Sequence, residues 1–278
     1  MKIFFVGVFT EGSTNVSQRD SLLKLGHEVI EFPYRSFNDP NEELMKIFDK
    51  SIDILLIAKG NFISSDVISL FKYRNECKFH YWFMDPMMSF SQEMLEKTLV
   101  SDRAFFDKKN VLELALKYHK NCSYLCEGYD ETVDKVQDID YKYDISFIGN
   151  VYNNREDILN KIDNIKVINN AYGEEHSKEV GKSKINLNIC TNNGASDRVY
   201  KILAAGGFLL TDDWEGRELT GLKDGIDLVV YKNIKDLKSK IKFYLKYNWE
   251  REQIARNGLR SVKRLTRESW ARGVVIEK

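Results

Sequence analysis

Short apolar runs alternate with amphipathic stretches through the first half of the chain. The apolar runs predict six strands, at Ile3–Val8, Glu28–Phe32, Ile54–Ala58, Phe79–Met84, Ala104–Phe106 and Ser123–Leu125. Apolar residues at helical spacing between them predict five helices, at Val16–Leu25, Glu43–Phe48, Val67–Tyr73, Met94–Leu99 and Val111–Tyr118. Because the runs are apolar on both faces, the pattern indicates a parallel sheet with helices on either side.

The acidic segment from Glu127 to Asp144 interrupts this alternation and contains few aliphatic residues. We interpret it as a connection between two domains. A second alternating series follows, with strands predicted at Tyr143–Asn150, Ile165–Asn170, Ile185–Cys190, within Arg198–Gly216 and at Asp227–Tyr231. The chain then continues as nearly unbroken helix from Lys235, with interruptions expected at Asn257–Gly258 and near Thr266. The sequence therefore predicts two doubly wound halves of similar size and a helical tail.

Composition indicates a globular protein and does not identify a binding partner. Hydrophobic residues make up 43% of the 278 residues, which is ample for packed cores. Lys+Arg and Asp+Glu both number 42, so the net charge of zero gives no general reason to expect a polyanion as partner. The first residues resemble a buried strand more than a targeting signal, and no apolar run approaches the roughly 20 residues that span a bilayer. With four cysteines in no framework spacing, we expect a cytoplasmic protein.

His119, Cys122 and Cys126 form an H-x2-C-x3-C pattern that invites comparison with zinc sites. A structural zinc site requires four ligands, usually from paired short spacings. No fourth ligand is evident nearby in the sequence, so we predict buried thiols and no metal site.

In open parallel sheets, ligands bind outside the carboxyl ends of the strands, so the loops after the strands are the places to search. Gly7 and Gly12 frame the first such loop, and Ser13 and Thr14 open the next helix in a way that suits a phosphate or oxyanion. Ser13 stands where a P-loop requires lysine, which excludes a P-loop NTPase. An ordinary turn with a helix cap is the alternative interpretation.

Two further loops carry candidate chemistry. Gly149 and Asn150 end a strand, and Arg155 opens the next helix, where it is placed to pair with a phosphate or with a neighbouring carboxylate. Asp85 follows a strongly apolar strand, where it is either a turn former before proline or a base that binds a hydroxyl.

The stretch from Arg198 to Gly216 combines a tight helix-to-strand junction with two cations. The small residues Ala204–Gly207 let a helix end pack closely against the sheet. Ser196 and Asp197 are expected to cap that helix, which carries Arg198 and Lys201 in its first turns. This arrangement suits a diphosphate, and pairing with nearby acidic side chains is the alternative.

Four segments of the chain resemble a known family. They are "MKIFFVG…GS…LLKLGHEVIEF", "DISFIGNVYNNRE", "SDRVYKILAAGGFLLTD" and "DLVVYKNIKDLKSKIKFYLKYNWEREQIARNG". The chain resembles GT-B glycosyltransferases of the "glycosyl transferases group 1" type, in particular the CgeB-like spore-maturation proteins and their phage and viral relatives. The resemblance extends over nearly the whole chain and is strongest from Ser183 onward.

The resemblance implies an α/β GT-B fold, with two Rossmann-like doubly wound domains facing a cleft. Its expected parts are an acceptor-side domain at 1–127, a linker at 128–142, a donor-binding domain at 143–266 and a helix at 267–278 that crosses back to the first domain. Trp270 and Val274–Ile276 are the expected packing face of that helix.

The resemblance further implies a hexosyl- or pentosyltransferase that moves a sugar from a nucleotide-sugar, most simply a UDP-sugar, to an acceptor hydroxyl. No metal or other cofactor is expected. Asp138 and Asp140 match the metal-binding DxD pattern of another glycosyltransferase fold, but they lie in the predicted linker without a preceding strand, so we treat the match as chance.

By position, the resemblance places Arg198 at the donor diphosphate, Gly149 and Asn150 beneath the nucleotide, and Gly206 and Gly207 in close approach to the donor.

The chain departs from the proteins that it resembles at Lys201, where many of them carry a glutamate that binds the ribose hydroxyls. Asn193 stands eight residues earlier, where the wider group of retaining glycosyltransferase families carries a second glutamate. Lysine cannot accept a hydrogen bond. In the interpretation we favour, Lys201 binds the donor phosphates and Asp213 or Glu215 binds the ribose. The alternatives are a different donor, or a non-catalytic nucleotide- or glycan-binding protein on the same scaffold.

For transfer itself, the candidate catalytic residues are Arg198 for the leaving diphosphate and Asp85, with Glu11 second, as the base of an inverting enzyme. A retaining enzyme needs no such base, so the stereochemistry stays open. The acceptor stays open among glycan, protein, lipid and modified nucleic acid. The basic tail Lys232–Arg272 suits a membrane surface or a polyanion, although solvated helix faces are the simpler interpretation.

Overall fold

The computed structural model describes residues 1–152, 154–190 and 194–276, which form two compact units. The N-terminal unit comprises Met1–Glu127 together with Arg267–Lys278, and the C-terminal unit comprises Gly128–Thr266. Each unit is built around one parallel sheet.

The N-terminal unit contains a six-stranded sheet in the order β2-β1-β3-β4-β5-β6, with every neighbouring pair parallel. Its strands are β1 (Lys2–Gly7), β2 (Glu28–Pro33), β3 (Ile54–Ala58), β4 (Lys78–Phe83), β5 (Arg103–Phe106) and β6 (Cys122–Tyr124). The helices that connect them are α1 (Thr14–Lys24), α2 (Pro40–Lys46), α3 (Ser65–Asn75), α4 (Gln92–Val100) and α5 (Lys109–Ala115). Two short 3₁₀ turns lie at Tyr34–Ser36 and Met87–Ser89.

Both faces of this sheet are covered, which explains why its strands are apolar throughout. Successive side chains of a strand point to opposite faces. In β1, Phe4 and Val6 belong to one hydrophobic cluster, and Ile3 and Phe5 belong to another. The prediction of a parallel sheet covered on both faces is confirmed for this unit.

The C-terminal unit contains a five-stranded parallel sheet in the order β11-β10-β9-β7-β8. Its strands are β7 (Tyr143–Ile148), β8 (Lys166–Ile168), β9 (Ser183–Asn188), β10 (Leu209–Asp212) and β11 (Val229–Tyr231). Its helices are α6 (Asn154–Leu159), α7 (Gly173–Gly181), α8 (Arg198–Ala204), α9 (Arg217–Thr220), α10 (Ile234–Lys246) and α11 (Asn248–Val262). The predicted α/β class is confirmed for this unit as well.

The order of the second sheet identifies where a ligand is expected. The chain runs from β7 to β8 on one side and then returns to place β9 on the other side of β7. Such a reversal opens a crevice outside the carboxyl ends of the two strands that flank it. In this unit the crevice lies beyond β7 and β9.

The segment 128–142, expected as a linker, packs within the C-terminal unit. The Ser177 hydroxyl donates to the Val133 carbonyl at 3.1 Å, and the Lys142 amide donates to the Lys182 carbonyl at 2.7 Å. These contacts attach the segment to α7 and its end.

The expected interruption of the tail at Asn257–Gly258 is wrong. The break occurs at Tyr247, between α10 and α11, and Gly258 lies inside α11. The helix needs glycine there because a β-carbon would lie 2.4 Å from the carbonyl oxygen of Asp227. The residue marks a close contact and not a helix end.

The last helix, α12 (Arg267–Val274), completes the hydrophobic core of the N-terminal unit. Trp270 is 1% exposed, and its ring lies 5.3 Å from that of Trp82. Val274 is buried, and its carbonyl oxygen lies 2.5 Å from Nδ1 of His80. The predicted packing through Trp270 and Val274 is confirmed, whereas Ile276 at the end of the expected face is 44% exposed.

Within the described residues, no helix has both the length and the apolar character needed to cross a membrane.

Candidate functional site

A cavity of about 120 Å³ lies in the C-terminal unit, at the carboxyl edge of its sheet. Gly149 and Asn150 line it from the end of β7, and Asn170–Tyr172 line it from the loop after β8. His176 of α7 and the first turn of α8 form the rest of the wall. The cavity occupies the crevice that the strand order identifies, and four of the predicted donor-binding residues meet there: Gly149, Asn150, Arg198 and Lys201.

The guanidinium of Arg198 lies against the turn at Gly149. Its Nη1 donates to Oδ1 of Asn188 at 3.0 Å, and its central carbon lies 5.1 Å from the ring centroid of Phe147. Gly149 has a φ of +142°, and a β-carbon there would lie 2.6 Å from Nη2 of Arg198. Glycine therefore serves both the backbone conformation and the approach of the arginine.

Burial, the main cause, and the nearby positive charge of Arg155 together lower the pKa of Arg198 to about 10. Both effects disfavour the charged form, yet the side chain stays protonated at neutral pH. A cation with little solvation, held beside a neutral amide, binds an anionic group more strongly than a cation in water does.

Lys201 forms an ion pair with Asp197, one turn earlier in α8. The Nζ–Oδ2 distance is 2.6 Å, and the two side chains are 25% and 22% exposed. Asp197 has φ −53° and ψ −21°, which are helical values and not the extended ones usual at a helix cap. The expected capping role of Asp197 is therefore corrected, because its carboxylate pairs with Lys201 instead.

His176 is 6% exposed and lies at the cavity wall. Burial, the main cause, and the positive charge of Lys201 together lower its pKa to about 3. The imidazole is therefore neutral at physiological pH. Neither of its ring nitrogens has a hydrogen-bond partner among the residues that the structure describes.

We expect this histidine to make stability depend on pH. Between pH 6.5 and about 3 the side chain is protonated in the unfolded chain but neutral in the folded one, so the unfolded state binds more protons. The free energy of unfolding therefore falls as the pH drops below 6.5, by up to about 1.4 kcal/mol per pH unit. Urea unfolding of the natural chain and of His176→Gln at pH 7 and pH 5 measures this. Equal losses in the two proteins would contradict it.

Comparison with known proteins identifies the family. The model of a family described as glycosyl transferase-like matches residues 130–272, just over half of the chain. The chain belongs to this family. The match includes the cavity and every strand of the C-terminal sheet. No curated protein sequence matches the chain.

Several solved structures resemble this glycosyl transferase-like chain along nearly all of its length. HepE from Anabaena, in complex with UDP and glucose, has a TM-score of 0.70 at 9% identity, over 99% of this chain and 98% of that one. A glycosyltransferase from Rickettsia africae ESF-5 has a TM-score of 0.68 at 12% identity, with 98% and 96% covered. Sucrose-phosphate synthase from Thermosynechococcus elongatus has a TM-score of 0.68 at 8% identity, with 98% and 96% covered. These likenesses concern the fold, and they confirm the expected GT-B class.

In this glycosyltransferase fold, Arg155 supports the turn after β7. The side chain is 2% exposed. Its Nε donates to the Ile189 carbonyl at 3.2 Å, and its Nη1 donates to the Asn150 carbonyl at 2.9 Å. Its partners are thus backbone carbonyls, and neither a phosphate nor a carboxylate is needed to explain its burial.

Gly206 and Gly207 lie at the amino end of β10, where they line a second cavity of about 170 Å³. A β-carbon on Gly207 would lie 2.6 Å from Cγ1 of Val180. Gly207 thus lets the chain between α8 and β10 pass close to α7, and the approach of the two glycines to a donor stays a prediction.

Two of the acidic residues expected near the ribose lie after β10 and are exposed. Asp213 pairs with Arg217 at 2.7 Å, and this hydrogen bond lowers the pKa of the carboxyl. Glu215 is exposed two residues later. Asn193, which replaces a glutamate of the wider families, lies outside the described residues.

In the N-terminal unit, the loop after β1 makes its own internal hydrogen bonds. Gly12, with a φ of +76°, turns the chain toward α1. The Ser13 hydroxyl accepts from the Asn15 amide as a helix cap and donates to the Val8 carbonyl at 2.6 Å. The Thr14 hydroxyl donates to Glu127 at 3.1 Å. These contacts match the alternative interpretation, a capped turn.

The candidate bases also belong to the N-terminal unit. Asp85 follows β4 and forms an ion pair with Lys59, which follows β3. Glu11 is exposed in the loop after β1, close in sequence to Gly7. Their roles in catalysis stay predictions.

Sequence reasoning missed two features at carboxyl edges. The loop Asn170–Tyr172 follows β8, and the rule that located Gly149 would have found it. Asp107 and Lys108 follow β5 and form a buried ion pair. Their burial could not be predicted from the local sequence pattern. Among the described residues, no group of three or more His, Cys, Asp or Glu side chains is arranged to hold a metal.

Proposed function

We propose that this chain transfers a sugar, most simply a hexose, from a UDP-sugar to an acceptor hydroxyl, without a catalytic metal. The observation that carries the proposal is the buried guanidinium of Arg198 in the cavity beyond β7 and β9. Membership of the glycosyl transferase-like family supports transfer, and the UDP and glucose bound to the similar HepE structure support a UDP-hexose as donor.

The chemistry requires stabilisation of the leaving diphosphate. As the bond between the sugar C1 and the phosphate oxygen breaks, negative charge grows on that oxygen. A preorganised cation in a poorly solvated site lowers the free energy of this transition state. Arg198 supplies that charge in our proposal. If transfer inverts the sugar, Asp85 is the proposed acceptor base and Glu11 the second candidate.

Nucleotide binding tests the proposal directly. Thermal unfolding is measured with UDP, GDP, dTDP and their sugars, and we expect UDP compounds to raise the midpoint most, because a ligand that binds only the folded state stabilises it. Release of UDP from the UDP-sugars then measures turnover, which we expect to persist in EDTA. Absence of stabilisation by every nucleotide would contradict the proposal.

Gly149→Ala tests the turn beneath Arg198. The substitution adds a β-carbon 2.6 Å from the guanidinium at a φ that favours glycine. The guanidinium that we propose as a phosphate ligand must then move away from the added carbon, so we expect UDP affinity to fall by about tenfold or more. Isothermal titration of the variant measures the change. Gly225→Ala, also at positive φ but with nothing within 4 Å of the added carbon, is the control and should keep its affinity.

A non-catalytic nucleotide- or glycan-binding protein on this scaffold is the second candidate. One observation favours this candidate: Asp85, the proposed base, forms an ion pair with Lys59. To take a proton from an acceptor hydroxyl, Asp85 would have to break this ion pair or bind both groups at once. Tight binding of UDP-sugars with no UDP release and no transfer to a panel of acceptors would support this candidate.

On sequence resemblance, we further propose that the chain is a CgeB-like member of the family and acts in the cytoplasm. Glycans, proteins, lipids and modified nucleic acids remain the acceptor classes to screen.

A further inference from the structure

The helix α10 concentrates positive charge on one side. Six lysines and a single acidic residue, Asp236, lie between Lys232 and Tyr247, although the whole chain has a net charge of zero. Four of the lysines follow each other at spacings of three and four residues, which places them along one side of the helix, and they form its basic face: Lys235, Lys238, Lys242 and Lys246. All four are exposed, and none forms an ion pair with a residue that the structure describes. Asp236 pairs with Lys240 instead, at 2.9 Å.

Three exposed aromatic side chains adjoin the carboxyl end of the basic face. Phe243, Tyr247 and Trp249 are 44%, 39% and 68% exposed, and together they form an aromatic corner. The ring centroids of Phe243 and Tyr247 lie 4.5 Å apart, and Nζ of Lys246 lies 5.3 Å from the centroid of the Tyr247 ring. Trp249 follows two residues later, in the first turn of α11. Basic and aromatic side chains therefore lie together where α10 meets α11.

The apolar face of α10 is already used by the core of its unit. Leu237 belongs to the hydrophobic cluster of the C-terminal sheet, and Ile241 and Tyr244 pack against that cluster. A partner that binds an amphipathic helix in a groove requires the apolar face of that helix to be free. The surface of α10 that a partner can reach is therefore cationic, with aromatic rings at one end.

The kinds of side chain on this surface favour a layer of lipid headgroups over a nucleic acid. The six cations between residues 232 and 247 are all lysines, and this stretch contains no arginine, the residue that binds single phosphates in a two-point geometry. Lysine acts as a point charge, which suits the spread-out negative potential of an anionic membrane. Tryptophan and tyrosine rings are enriched at the headgroup level of bilayers, because they are apolar with one polar group.

We propose that the basic face and the aromatic corner dock this protein on the surface of an anionic lipid bilayer. The lysines of the basic face meet the negatively charged headgroups, and the aromatic corner enters the layer between headgroups and acyl chains. The binding strength of a peripheral helix grows with both its buried apolar area and its attraction to anionic lipids, and this surface supplies both. The inference goes beyond the proposed function and does not depend on turnover of a UDP-sugar.

Tryptophan fluorescence tests the proposal in the full chain. Of the four tryptophans, Trp82, Trp214 and Trp270 are at most 5% exposed, so a change of emission on binding reports on Trp249. The protein is mixed with vesicles of phosphatidylcholine and phosphatidylserine, and with vesicles of phosphatidylcholine alone. We expect the emission to shift to shorter wavelength, and to be quenched by brominated acyl chains, with the anionic vesicles only. Added salt should release the protein, because it screens the charges.

A double substitution in the basic face tests where the protein binds. A lysine near an anionic membrane surface strengthens binding by about fivefold, so Lys238→Gln with Lys242→Gln should weaken sedimentation with the anionic vesicles by about 25-fold. Lys117→Gln with Lys120→Gln is the matched control, since it removes two exposed lysines on either side of the exposed Tyr118 in the N-terminal unit. The control should change binding by less than about twofold.

Several results would overturn the inference. These are equal losses in the two double variants, equal binding to both kinds of vesicle, and binding to neither. Binding to duplex DNA or heparin but not to anionic vesicles would assign the surface to a soluble polyanion instead. Sedimentation with anionic vesicles without quenching by brominated chains would show that the aromatic corner stays outside the bilayer, contrary to the proposal. Nucleotide titration stays a separate test, because failure to bind UDP contradicts the proposed function alone.

Discussion

Arg198→Ala is expected to lower kcat/KM for UDP-sugar turnover by about 10²–10³, the usual cost of removing one preorganised donor that stabilises transition-state charge. The guanidinium donates to Asn188, lies over the ring of Phe147 and fits against Gly149, where no β-carbon is in the way. Because these contacts fix its position, the side chain needs to move little during the reaction. Release of UDP in a coupled assay measures the loss.

Two further variants separate this effect from a loss of fold. Arg256→Ala removes an arginine of the same unit whose side chain is 51% exposed, and it should leave turnover unchanged. Arg198→Lys keeps the charge but loses the planar, two-point contact with phosphate, so its rate should lie between those of the natural chain and the alanine variant. Full activity of a folded Arg198→Ala variant would rule out the proposed role.

Trp270→Ala is expected to reduce the free energy of unfolding of the N-terminal unit by about 3–5 kcal/mol, as for other large aromatic residues truncated in a core. Trp270 is 1% exposed and packs on the rings of Trp82 and Phe5, at 5.3 Å and 6.2 Å. Calorimetry should show a lower midpoint for one transition, because the C-terminal unit has its own core.

Trp249→Ala is the matched control, since Trp249 is 68% exposed and should tolerate truncation. Trp270→Phe should cost less than alanine, because it fills much of the volume. It also removes an indole N–H that has no partner among the described residues. Equal unfolding midpoints for Trp270→Ala and Trp249→Ala would show that α12 contributes little to this core.

The strands could be predicted because burial on both faces of a parallel sheet requires a continuous run of apolar residues, which is visible in the local sequence. Ile54–Ala58, for example, was predicted with the bounds that the structure has. The break in the tail was not predictable from local pattern. Asn-Gly pairs commonly end helices. Gly258 is required instead because the carbonyl of Asp227, about thirty residues away in sequence, leaves no room for a β-carbon.

The candidate site divides in the same way. Gly149 and Arg198 could be found because ligands bind at the carboxyl ends of parallel strands. The partner of Lys201 could not, because an aspartate before a helix usually caps it, and only the backbone angles show that Asp197 does not. His176 left no local signal, since it lies in an ordinary amphipathic helix.

The location of Gly206 and Gly207 could have been predicted from the topology of the sheet alone. In a parallel sheet, a helix passes into the next strand at the amino edge, opposite the edge where ligands bind. The junction of α8 and β10 obeys this rule, so its two glycines lie at the amino edge of the sheet.

The position of α12 has a consequence for how the protein matures on the ribosome. All strands of the C-terminal unit lie within one continuous stretch, whereas the N-terminal unit needs a helix that is synthesised after that stretch. Domains generally fold as units during synthesis, at roughly 5–20 residues per second. The part of the protein that is translated first is therefore the last to be completed, and until Trp270 emerges, the apolar surface around Trp82 stays open to chaperones and to aggregation.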